Sequence, residues 1–211
     1  MQPLTFEYYD IPPTICLIAG VIFGIKFSKL NSTEKLIALV LLMNIVADTA
    51  AYLLMHCELN YQYMYNILLP LERIVSLVIY TKNENTKKAK VFYGAGGILI
   101  LLVYFIGYTN SDIVSELHFL SNTITALILT AMSYLHLRTI SHGDVDTTRL
   151  ITVFTIATFV YSAITVSALS ALALALQIDH GFAADLFDIN LIAYASWSIT
   201  LIIAILWNKK T

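Results

Sequence analysis

The chain has 211 residues, 58% of them hydrophobic and 12% charged, with a mean hydropathy of +0.76 and a formal net charge of −2. Soluble domains average about 45–50% apolar and about 25% charged residues, so a water-soluble globule, a disordered chain and a collagen are excluded. The charge balance offers no basic excess for nucleic acid, and two cysteines, Cys16 and Cys57, cannot build a disulfide framework.

What remains is an all-α, polytopic integral membrane protein. A spanning helix needs about 20 mostly apolar residues. Seven such runs are predicted, over roughly 11–29, 35–56, 61–81, 89–108, 114–137, 150–177 and 182–207, as one bundle covering 1–211. Their unbroken apolar character, as from Leu36 to Val46 and from Ile98 to Ile106, excludes the alternating strands of an outer-membrane barrel. The first ten residues carry Glu7 and Asp10 and no Lys or Arg, the reverse of a signal peptide's basic start. The first run is therefore expected to stay as a span.

Helix 1 holds the Gly20/Gly24 step, helix 4 holds Gly94, Gly96 and Gly97, and helix 6 holds Ala163, Ser167, Ala168, Ala171 and Ala175. Small residues let helix backbones approach in lipid, and packing inside the bundle is the simpler use of them. Asn31-Ser32-Thr33, with Glu34 following, reads as the N-cap of helix 2. Tyr8, Tyr9, Tyr61, Tyr63, Tyr108 and Trp207 read as interface anchors. Of the twelve Lys and Arg residues, all but Arg73 fall on one side of seven spans, in the loops 1–2, 3–4 and 5–6 and at the C-terminus. By the positive-inside rule the N-terminus is outside and the C-terminus inside. The expected location is a cell membrane, the inner one if the source is a Gram-negative bacterium.

Charge in the bilayer core is costly and points to function by default. Asp48 of helix 2 and Glu72 and Arg73 of helix 3 are expected at one depth near the midplane. Asn44, Asp48 and Tyr52 share a face of helix 2, and on helix 3 Tyr65, Glu72 and Ser76 share one face while Asn66 and Arg73 share the adjacent one. Pro70 removes a helix hydrogen bond and frees a carbonyl near Asn66. Two carboxyls face one guanidinium, so either one carboxyl holds a proton or another donor compensates. His118, Ser121, Asn122 and Thr125 of helix 5 and Asp188, Asn190 and Tyr194 of helix 7 bring further polarity to the outer half. The expected arrangement is an Asp48–Arg73 interaction, direct or through one side chain, beside an outward-opening polar cavity between helices 2, 3, 5, 6 and 7. Its binding residues would be Asp48, Asn66, Glu72, Arg73, His118, Asn122, Asp188 and Tyr194. The plain alternative is a buried structural ion pair, which does little more than offset its own desolvation.

No helix interior carries a lysine, so a retinal Schiff base is not expected. The five His residues, His56, His118, His136, His142 and His180, do not converge as a metal site requires, His136 and His142 lying at the inner surface. No metal and no other cofactor is expected. Three activities remain. The first is receptor-like or sensory binding of a small amphiphile from the membrane. The second is an intramembrane lipid hydrolase with Asp48 and Glu72 as acid and base. The third is a proton-coupled transporter. Membrane lipids are the expected partners, together with an unidentified docking protein on the inner side.

The stretch Tyr65-Asn66-Ile67-Leu68-Leu69-Pro70-Leu71-Glu72, followed by Tyr80 and the basic loop Lys82 to Lys90, resembles a family of small bacterial seven-helix membrane proteins with no assigned activity. The resemblance extends to Tyr161 and Asn190 and departs at Arg73, where an apolar or aromatic residue is expected. It implies the seven-helix fold and no particular chemistry. Asp48 gives a fainter similarity to the lysoplasmalogenase-like membrane proteins, with Ala47 in place of their flanking glycine.

Overall fold

The computed structural model describes residues 11–57, 59, 62–110, 119–145, 147–178 and 180–207. Among these there are seven α-helices and no strand: α1 (Ile11–Lys26), α2 (Glu34–His56), α3 (Gln62–Asn83), α4 (Lys87–Asn110), α5 (Phe119–Ser141), α6 (Arg149–Ile178) and α7 (His180–Trp207). Six of them, α2 to α7, are long and apolar enough to cross a membrane. The sixteen residues of α1 extend only about 24 Å at helical rise, short of a hydrocarbon core of about 30 Å. The first predicted run continues into a 3-10 turn at Phe27–Lys29, and residues 114–118 of the fifth lie outside the described residues.

Each helix packs on its neighbours in sequence, and α1 packs on α7 to close the ring, while α3 also reaches α5. The outside is apolar: Leu17, Val21, Leu101, Phe105, Ile192 and Ile203 are all exposed. The inside is partly polar, with Asn66, Thr125, Ser133, His136, Thr155 and Ser198 all fully buried. A protein dissolved in water distributes these groups the other way. In lipid the apolar face needs no protein cover, and polar side chains find partners across helices.

Local chemistry explains how the elements begin and meet. The Asn31 side chain accepts the Thr33 and Glu34 amides at 3.0 and 2.8 Å, and the Asn31 amide donates to Glu34 Oε2 at 3.0 Å. This reciprocal cap starts α2, as the sequence predicts. Glu34 Oε1 also accepts the Thr148 hydroxyl at 2.8 Å, tying α2 to the start of α6. Lys26 Nζ donates to the carbonyls of Ile205 and Leu206 at 3.0 and 3.4 Å, capping the end of α7. Gly20 lies where a Cβ would stand 2.1 Å from Ile45 Cδ1, so it sets the close approach of α1 to α2, whereas Gly24, Gly94 and Gly97 face open space.

Candidate functional site

Pro70 sits inside α3 without ending it. A proline cannot donate to the carbonyl four residues back, which here is that of Asn66. The hydroxyl of Tyr108, from α4, donates to that oxygen. Tyr108 is thus a partner inside the bundle as well as a residue near a helix end. The same stretch of α3 carries Glu72 and Arg73, 8% and 6% exposed. Successive helical residues point about 100° apart, so the two side chains serve different neighbours.

Arg73 faces α4 and α5. Its Nη1 donates to the Tyr104 hydroxyl at 3.3 Å and the Asn122 carbonyl at 3.1 Å, and also to the Thr125 hydroxyl. Tyr104 in turn donates to Asn122 Oδ1. Asn122, expected in a cavity wall, is therefore a buried clamp on the guanidinium network, 1% exposed. The network also explains why α4, absent from the expected cavity, belongs to the site.

Asp48 lies on the other side of α3. Its Oδ1 accepts the Tyr65 hydroxyl at 3.2 Å and its Oδ2 accepts the Tyr194 hydroxyl at 2.9 Å. Asp48 and Tyr194 remain partly exposed. A direct Asp48–Arg73 contact is not formed, the two groups using separate hydrogen-bond partners, and of the two expected forms the one left is a link through a single side chain. Glu72 lies between them, within electrostatic reach of both, and Asn44 of α2 reaches its carboxyl. Below Asp48 the rings of Tyr161, Tyr194 and Trp197 pack mutually, with centroids 6.0 to 6.2 Å apart and Tyr194 stacked on Trp197. The Trp197 indole donates to the Thr158 hydroxyl at 3.3 Å, and Thr165 donates to Asn190 Oδ1 at 2.9 Å.

Of the other predicted residues, Asn66 is fully buried with its carbonyl engaged by Tyr108. Asp188 is partly exposed, and its buried Oδ1 has no hydrogen-bond partner among the described residues. His118 lies outside the described residues. A cavity of about 330 Å³ opens between α6 and α7, lined by Ala163, Ile164, Ser167, Ala168, Leu186 and Ile189. It is apolar and does not include Glu72. Among the described residues no three His, Cys, Asp or Glu side chains converge as a metal site would need.

Sequence reasoning placed His136 at the inner surface, and the structure corrects this. His136 is fully buried, stacked on Tyr80 at 4.7 Å and edge-on to Tyr93 at 5.9 Å, with neither ring nitrogen hydrogen-bonded among the described residues. Glu84, 1% exposed, acts on it electrostatically. One Glu84 oxygen accepts the Asn85 and Thr86 amides at 3.0 and 3.2 Å, and its other oxygen has no partner among the described residues. The α5 face bearing His136 turns inward.

No family model matches the chain, and neither the curated proteins nor the solved structures contain a match to it.

Proposed function

We propose that this is a seven-span membrane protein with its lysine-rich end in the cytoplasm, and that it binds a small amphiphile at the Asp48 cluster in a receptor-like role. The observation that carries the reading is Asp48 itself. It is a half-buried residue at the junction of α2, α3 and α7, its carboxyl oriented by two tyrosine hydroxyls. A carboxyl held this way inside an apolar bundle is a costly feature whose default explanation is functional. The surrounding gradient suits a molecule with one polar and one apolar end: aromatic rings lie beside the carboxyl, and apolar helix faces surround it. Glu72 and Arg73 are too enclosed to meet the ligand first, so they support the site from behind.

Two measurements test this. Cysteines placed at Asn31, Asn110 and Asn208 should label from one side for Asn31 and Asn208 and from the opposite side for Asn110. Labelling of all three from one side would overturn the seven-span topology. For binding, the purified protein should gain thermal stability with at least one member of a panel of lipids and single-chain amphiphiles. A ligand at 100 times its Kd stabilises the native state by about 2.7 kcal/mol, a shift of several degrees. A flat response across the panel would remove the binding reading.

A further inference from the structure

We infer that the polar end of the molecule taken up at Asp48 is a protonated amine carrying N–H donors. This rests on the reading of the Asp48 cluster as an amphiphile site and names the head group that the site selects. The first ground is charge. The layer holds two carboxyls, Asp48 and Glu72, and a single guanidinium, Arg73, whose Nη1 is committed to Tyr104, Asn122 and Thr125 on the far side of α3. Arg73 stands nearest Glu72 in effect, leading the charges that act on it. Among the described residues Asp48 receives only neutral hydroxyl donors. A carboxyl in an apolar interior that lacks a cationic partner either holds a proton or acquires a cation, and a ligand bringing that charge lets it stay ionised.

The second ground is the supply of donors and acceptors. A carboxylate has about four acceptor positions, and Asp48 uses one on each oxygen. The hydroxyl of Tyr194 has already given its proton to it, leaving acceptor lone pairs. Nearby donors are also committed: the Asn44 amide donates to the Val40 carbonyl at 3.0 Å, and the Thr165 hydroxyl donates to Asn190. A ligand meeting these groups meets acceptors in excess. An ammonium offers up to three donors and no acceptor, and the Tyr194 ring next to the carboxyl favours a cation further. An alcohol adds an acceptor where acceptors abound, and a carboxylate adds repulsion.

The test uses three probes with one tail and three heads: decylamine, decanol and decanoate. Each is titrated into the purified protein in phosphatidylcholine nanodiscs at neutral pH, with thermal stability and equilibrium binding as readouts. Decylamine should bind at least tenfold more tightly than either other probe, and Asp48→Asn should weaken it at least tenfold, with Glu72→Gln weakening it less. Asp48→Ala replaces Asp48→Asn if the latter does not fold. Decanol or decanoate binding as tightly as decylamine would overturn the choice of head group and leave the amphiphile site standing. Decylamine affinity unchanged in a folded Asp48 variant would also overturn it. No binding by any probe would overturn both the head group and the site.

Discussion

Replacing Arg73 by Leu is expected to cost the folded bundle about 3–5 kcal/mol, the range found when one member of a buried charged pair is removed. The measurement is reversible denaturant unfolding in mixed micelles. Arg73 is 6% exposed, and it joins three helices through hydrogen bonds to Tyr104 and Asn122 at 3.3 and 3.1 Å and to Thr125. The orphaned groups do not all lose their partners. Tyr104 still donates to Asn122, and the Thr125 hydroxyl still donates to the Ser121 carbonyl at 2.7 Å. The larger loss is electrostatic: Glu72 is left buried without the cation that acts on it most. Adding Glu72→Gln should therefore recover at least about 1 kcal/mol, within the usual span of coupling between contacting sites. Arg73→Lys should fall between, since it keeps the charge and loses the planar fork of donors. A cost below about 1 kcal/mol for Arg73→Leu, against the range for breaking a buried pair, would show that Glu72 needs no cation.

The parts of the fold that were legible in the sequence are those fixed by local chemistry. Apolar runs bounded by Lys, Asn and Gly predicted the helices, and α2, α4 and α6 begin within two residues of the predicted positions. The Asn31 cap and the carbonyl freed by Pro70 follow from side-chain and proline chemistry, and the structure has both. What could not be read is which neighbour each helix face meets. Glu72 and Arg73 are adjacent in sequence and about 100° apart around the helix, so the pairing of Arg73 depends on where α4 and α5 lie. Tyr104 and Tyr108 sit in an apolar run, and nothing local distinguishes a tyrosine that anchors at an interface from one that bonds across the bundle. Their separation by one helical turn was the available sign. The same holds for His136: its place near the end of the fifth predicted run indicates the inner surface, while rotation about the axis decides what is buried.

Trp197→Ala is expected to cost about 3 kcal/mol, at the low end for truncating a large aromatic side chain in a packed interior. The low end applies because, in lipid or detergent, the transfer of apolar surface out of water contributes little. What is lost is packing contact, which a cavity forfeits outright. Trp197 is 3% exposed and touches Phe154, Tyr161 and Tyr194, joining α6 to α7 from within. Its indole also donates to the Thr158 hydroxyl at 3.3 Å. Trp197→Phe keeps most of the ring contact and loses that bond, so it should cost about 1 kcal/mol. The two variants also separate scaffold from site. Tyr194 stacks on Trp197 and donates to Asp48, so loss of the indole frees the tyrosine that orients the carboxyl. Binding of decylamine should then weaken in Trp197→Ala and be nearly unchanged in Trp197→Phe, which preserves the stacking surface. Equal affinity in both variants, with the stability difference intact, would mean that the aromatic layer holds the helices together and does not set the geometry of Asp48.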